Sequence, residues 1–131
     1  MEPIRIMVVE DDPDFQYLIQ QTLSAQADLA LVSCCKDGED AFHASVRVNP
    51  HIVLMDLALP ADPMEGVLAA RRIRLTTEAK VILLTSYEDP ATVVQASVKA
   101  FASAYVLKSQ FPLLLPTIRE TAQGVTPQAH L

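Results

Sequence analysis

Apolar residues in this chain fall into two alternating kinds of run. Five short blocks rich in aliphatic and β-branched residues read as strands: Ile4–Val9, Leu29–Cys35, residues 52–55, residues 80–84 and Ala104–Leu107. The third block is apolar throughout, as expected of a central parallel strand covered on both faces. Between the blocks the apolar positions recur at helical spacing. Asp12-Pro13 reads as an N-cap followed by proline at the first helical position, and Phe15, Leu18, Ile19, Thr22 and Leu23 form the core-facing stripe of a first helix. Asp37 is the cap expected for a second helix, with Ala41, Phe42 and Val46 facing inward, and Asn49-Pro50 ends it. A third helix follows the loop 60–65 and runs to about Arg74. A fourth opens at Asp89-Pro90 and runs to about Ala100, and a fifth covers residues 111–123. Five βα units with no long antiparallel hairpin predict an α/β fold: a five-stranded, doubly wound parallel sheet of the flavodoxin-like kind.

The polar residues that punctuate the strands carry the chemistry. Glu10 and Asp11 follow the first strand, Asp56 closes the third, Thr85 closes the fourth and Lys108 follows the fifth. The C-terminal ends of parallel strands share one edge of the sheet, and ligands bind there. Neighbouring carboxylates repel by roughly 4 kcal/mol per pair at about 4 Å and an effective dielectric near 20, so such a cluster calls for a cation. Oxygen donors suit Mg²⁺, which commonly bridges carboxylate to phosphate. Lys108 offers a point charge for a phosphoryl oxygen and Thr85 a hydroxyl. The three glycines, Gly38, Gly66 and Gly124, make no phosphate-binding loop or dinucleotide fingerprint. The expected acceptor of a phosphoryl group is therefore a carboxylate, Asp56, at the end of the most buried strand.

Composition narrows the class further. The 131 residues are enough for one domain with a real core. A net charge of −6 argues against a nucleic-acid surface within them. Cys34 and Cys35 are adjacent on a strand and point to opposite faces, so two buried thiols are expected rather than a disulfide. With no basic segment leading into an apolar one after Met1, and no run of membrane-spanning length, a soluble cytoplasmic protein is expected. Asp12 and Asp14 read as capping and dipole partners. Arg71, Arg72 and Arg74 read as a solvated helix face, and His43, His51 and His130 lack metal-ligand spacing.

Four segments in order resemble the response-regulator receiver domains of two-component signalling: Val8-Val9-Glu10-Asp11-Asp12, Val53-Leu54-Met55-Asp56-Leu57 with Pro60, Leu83-Leu84-Thr85-Ser86, and Tyr105-Val106-Leu107-Lys108. The resemblance implies that Asp56 takes phosphate from a sensor histidine kinase or phosphotransfer protein. It implies that Glu10, Asp11, Asp56 and the backbone carbonyl of Ala58 hold Mg²⁺. It also implies that Thr85 and Lys108 contact the phosphoryl group, and that Thr85 and Tyr105 shift to remodel the surface of helix 4 and strand 5, a common receiver dimer face that also takes in helix 5.

The sequence from Ile118 to Gln128 resembles the receiver-to-linker junction of LuxR/NarL-type regulators. Residues 1–123 are then the receiver, and residues 124–131 the start of a linker to a DNA-binding output domain not contained in this sequence. A stand-alone receiver that acts by binding protein is the competing reading. A hydrolase of the aspartyl-phosphate type is a third, disfavoured because Ala58 occupies the position where such enzymes place a second carboxylate.

Some positions depart from the receiver pattern. The loop before Gly66 is about two residues longer than usual. Ser109 follows Lys108 where many receivers have proline, and Phe101 and Ala104 stand where relatives usually carry glycine. A side chain at a left-handed helix end costs roughly 1 kcal/mol, so the fourth helix is expected to end differently or to carry strain at Phe101. Only Lys99 is charged between residues 91 and 104. Pro116 removes a hydrogen bond from the fifth helix unless that helix begins late.

Overall fold

A computed structural model describes residues 2–57 and 64–124. The elements alternate as expected: β1 (Ile4–Val9), α1 (Pro13–Ser24), β2 (Leu29–Cys35), α2 (Gly38–Val48), β3 (Ile52–Asp56), α3 (Glu65–Thr76), β4 (Lys80–Thr85), α4 (Pro90–Ala100), β5 (Ala104–Leu107), a 3₁₀ turn (Lys108–Leu113) and α5 (Leu114–Ala122). All strand pairs are parallel, in the order β2-β1-β3-β4-β5. The chain thus leaves β1 toward one edge and later toward the other, which opens a crevice above the carboxyl ends of β1 and β3.

Strand alternation builds two cores. Met7, Val9, Val53, Met55, Val81 and Leu83 pack with α2, α3 and the end of α4, whereas Ile6, Val8, Ile52, Leu54, Ile82 and Leu84 pack with α1 and α5 through Ile19, Leu23, Leu114 and Ile118. Covered on both faces, β3 is buried along its whole length.

The helix boundaries follow their caps. The Asp12 side chain accepts from the Asp14 N–H at 3.1 Å, with Pro13 at the first helical position. Asp37 accepts from the Asp40 N–H at 2.8 Å and Asp89 from the Thr92 N–H at 3.3 Å. α5 begins at Leu114, after the 3₁₀ turn, rather than at residue 111. Pro116 therefore lies in its first turn, where the N–H it lacks has no helical partner.

Some inward assignments are corrected. Leu18 is 43% exposed and Val46 55% exposed, and Ala44 and Ser45 line the buried face of α2 instead. Cys35 is buried, but Cys34 is exposed, its sulfur accepting from Gln20 Nε2 at 3.3 Å. The α3 arginines are not simply solvated. Arg71 lies over the Phe101 ring at 4.8 Å and Arg72 over the Phe42 ring at 3.9 Å, while Arg74 donates to the Phe101 and Ala79 carbonyls. Among the described residues no helix is long and apolar enough to cross a membrane.

Candidate phosphoacceptor site

Register brings the expected groups together. Val9 pairs with Met55, so Glu10 leaves β1 beside Asp56. Asp56 pairs with Leu84, so Thr85 projects one residue further along β4, and Thr85 pairs with Leu107, the residue before Lys108. With parallel strands about 4.8 Å apart, four consecutive strand ends converge on one crevice.

Within it, one carboxylate oxygen from each of Glu10, Asp11 and Asp56 lies within 4.8 Å of the others. Glu10 is fully buried and Asp56 is 2% exposed. Lys108 supplies the compensating charge: its Nζ stands 2.8 Å from Glu10 Oε1 and 3.4 Å from Asp56 Oδ2. The contact to Glu10 is an ion pair outside hydrogen-bond alignment, so this buried oxygen lacks a directed donor. Glu10 Oε2 accepts from the Asp12 N–H at 3.2 Å.

The electrostatics follow from this crowding. Burial pushes the Glu10 carboxyl up to about 7, the neighbouring Asp56 carboxylate adds to the rise, and Lys108 opposes it. Burial alone would lower the Lys108 ammonium, but Glu10 and Asp56 outweigh it and hold Lys108 above the ordinary lysine range. A buried acidic cluster with one lysine and one poorly satisfied oxygen fits a hard, oxygen-seeking dication. The donor set is consistent with Mg²⁺.

Thr85 is fully buried, and its Oγ1 accepts from the Tyr87 N–H at 2.9 Å. A hydroxyl that accepts one bond can still donate another. Tyr105 is half-buried in β5 and packs against the α2/α3 side of the core. Ala58, and most of the longer loop, lie outside the described residues.

Several groups that position the site were not singled out from sequence. Gly66 opens α3 so close to β3 that a Cβ there would fall 2.5 Å from the Asp56 carbonyl oxygen. Glu65 accepts from the Gly38 N–H and ties the start of α3 to the start of α2. Ser109 donates to Glu88 at 2.7 Å, joining the 3₁₀ turn that begins at Lys108 to the loop that follows Thr85. Phe15, expected only as core, has the Lys108 ammonium 4.6 Å above its ring.

Comparison with known proteins agrees with this geometry. The family model of the response regulator receiver domain matches residues 6–119. The chain is 32% identical over 108 residues to the response regulator protein VraR of Staphylococcus saprophyticus, covering 82% of this chain and 50% of that protein. It is 30% identical over 112 residues to a protein-glutamate methylesterase/protein-glutamine glutaminase of Myxococcus xanthus, covering 86% of this chain and 31% of that protein. The crystal structure of a LuxR-family two-component response regulator from an Aurantimonas species superposes with a TM-score of 0.86 at 30% identity, covering 95% of this chain and 89% of that one. The chain thus spans half or less of the length of these two curated relatives.

Proposed function

This chain belongs to the response-regulator receiver family, the phosphoacceptor switches of two-component signalling, and on that premise we propose that Asp56 is its phosphoacceptor. The observation that carries this reading is the placement of Lys108 between Glu10 and Asp56 at the crevice above β1 and β3. Glu10, Asp11 and Asp56, with the backbone carbonyl of Ala58, are the residues that would hold Mg²⁺. When bound, the ion supplies positive charge that screens the acidic cluster and the phosphoryl oxygens.

The chain's own groups do the rest. An Asp56 carboxylate oxygen attacks phosphorus as the P–N bond to the donor histidine breaks. The imidazole leaves with its electron pair, and an acyl phosphate forms on Asp56. Lys108, already 3.4 Å from Asp56 Oδ2, is placed to pair with a phosphoryl oxygen. Thr85 Oγ1 accepts from the Tyr87 N–H and so keeps its own proton to donate to another. Recruiting Thr85 to the phosphoryl group draws on the β4–α4 loop, and Tyr105 on the adjacent strand follows. The result is a population shift in the surface formed by α4 and β5.

In this reading the donor is a sensor histidine kinase or phosphotransfer protein in the cytoplasm. Residues 1–123 form the receiver and residues 124–131 begin the linker to an output domain, with transcription control by DNA binding as the favoured output. The chemistry stays on Asp56 and does not extend to turnover of external substrates.

Intact mass after incubation with acetyl phosphate tests the assignment. Wild type with Mg²⁺ gains one phosphoryl group, and wild type in chelator or Asp56→Asn gains none. Uptake by Asp56→Asn equal to wild type would move the acceptor elsewhere. Steady hydrolysis of a generic phosphomonoester would favour the hydrolase reading instead.

A further inference from the structure

Lys108 is held on three sides, and only two of them are carboxylates. The third is the face of Phe15, whose ring centroid lies 4.6 Å from Nζ. That ring is itself fixed. Phe15 sits in the first turn of α1, where the Asp12 cap and Pro13 pin the helix start, and the Phe111 ring meets it edge-on, with centroids 5.6 Å apart and planes at 84°. Phe111 lies in the 3₁₀ turn that begins at Lys108, so one short turn sets both the ammonium and the edge that orients its platform. Phe15 is half-buried, and the Lys108 side chain retains 20% exposure.

The two carboxylates are poor long-term anchors for this ammonium. With a dication and a phosphoryl group in the crevice, Glu10 would serve the metal and Asp56 the metal and the phosphoryl group, and both would be drawn from the ammonium. The ring quadrupole is the one attraction in the set that such binding does not consume. We propose that Phe15 is a positioning residue for phosphoryl transfer: its face holds the Lys108 ammonium at the mouth of the crevice, aimed at the phosphoryl oxygens. This rests on the assignment of Asp56 as acceptor, and it goes beyond that assignment by giving a role to a residue that touches neither metal nor phosphate.

The test compares Phe15→Leu, which keeps bulk and loses the π face, with Phe15→Tyr, which keeps both. The readouts are the rate of acetyl-phosphate uptake at saturating Mg²⁺, Mg²⁺ affinity by calorimetry, and the NMR shift of the Lys108 ε-methylene protons, which lie within reach of the ring current. The expected result is a loss of roughly three- to tenfold in rate for Phe15→Leu, the size of one cation–π contact. Mg²⁺ affinity stays within about twofold, and the ε-methylene signal moves downfield. Phe15→Tyr retains the wild-type rate and shift. In a Lys108→Met background the additional loss from Phe15→Leu vanishes, because the group it positions is gone.

Equal losses in Phe15→Leu and Phe15→Tyr, or a Phe15→Leu loss that persists undiminished with Lys108→Met, would overturn the proposal in favour of packing. So would a wild-type rate in Phe15→Leu. Failure of wild type to take up phosphate on Asp56 would instead remove the underlying assignment, and the shift comparison in the unphosphorylated protein would still decide whether the ring holds the lysine.

Discussion

Phe101 has φ 56° and ψ 35°, the left-handed region that glycine enters freely and a phenylalanine does not. The strain expected from sequence is there, and α3 compensates it. The Arg71 guanidinium stacks on the ring, and Arg74 donates to the Phe101 carbonyl at 3.1 Å. Arg71→Ala should therefore cost about 0.5–1 kcal/mol in wild type and much less in a Phe101→Gly background, where there is no ring to stack on; urea unfolding of the four proteins of the cycle measures the difference. Glu10 stores a different kind of strain. Its folded pKa of about 7 exceeds its ordinary value of 4.5, so between those values the folded chain keeps a proton that the unfolded chain has released. The stability from this group is complete below the unfolded value and is lost as pH rises through about 7, at up to about 1.4 kcal/mol per pH unit. In chelator, wild type should lose stability relative to Glu10→Gln from pH 5 to about 7. A difference that is flat across this range would mean that Glu10 is ionised throughout. With Glu10 as a proposed Mg²⁺ ligand, binding needs the ionised carboxylate, so Mg²⁺ affinity of wild type should rise over the same range.

At the scale of elements, α3 is placed by contact rather than by propensity. The Gly66 Cβ position lies 2.5 Å from the Asp56 carbonyl oxygen and 3.2 Å from the Leu57 Cα, both backbone atoms that cannot swing away. Gly66→Ala should push α3 off β3, costing roughly 1–3 kcal/mol and slowing phosphoryl uptake on the displaced Asp56. Gly38→Ala meets the Ala69 Cβ at 3.0 Å and the Glu65 side chain at 3.1 and 3.3 Å, all farther than the 2.5 Å at Gly66, and should do less on both counts; equal effects in thermal unfolding and phosphorylation rate would contradict the contact argument. The strands were legible because central parallel strands are apolar runs bounded by polar residues, and the site was legible because those boundaries are the site. Burial on the outer helices was less so. A 3.6-residue stripe does not say how far a neighbour covers it, which is why Leu18 and Val46 point to solvent. The roles of Arg71, Arg74 and Phe15 depend on partners 27 to 93 residues away in sequence, and no local pattern encodes such pairs.

For the whole molecule the outstanding surface is α4. Of its eleven residues only Val93 and Ala100 are buried, although it is rich in apolar residues and carries Lys99 as its only charge. Val94 is 48% and Val98 67% exposed, four residues apart on one face, with Ala91 a turn earlier on the same stripe. A monomer gains nothing from leaving such a stripe in water, and this helix directly follows the loop that leaves β4 at Thr85. The stripe fits the receiver dimer face expected at α4, β5 and α5, and an effect of phosphorylation on that association is the prediction to test. Val94 and Val98 belong to neither core, so replacing them with aspartate should leave folding and uptake of phosphate from acetyl phosphate essentially unchanged. Self-association, measured by sedimentation velocity before and after phosphorylation, should lose its dependence on phosphate. If wild type associates on phosphorylation and the double variant does so equally well, the copies meet elsewhere and α4 faces a different partner. If neither associates, α4 is a surface for a partner other than a second copy of this chain.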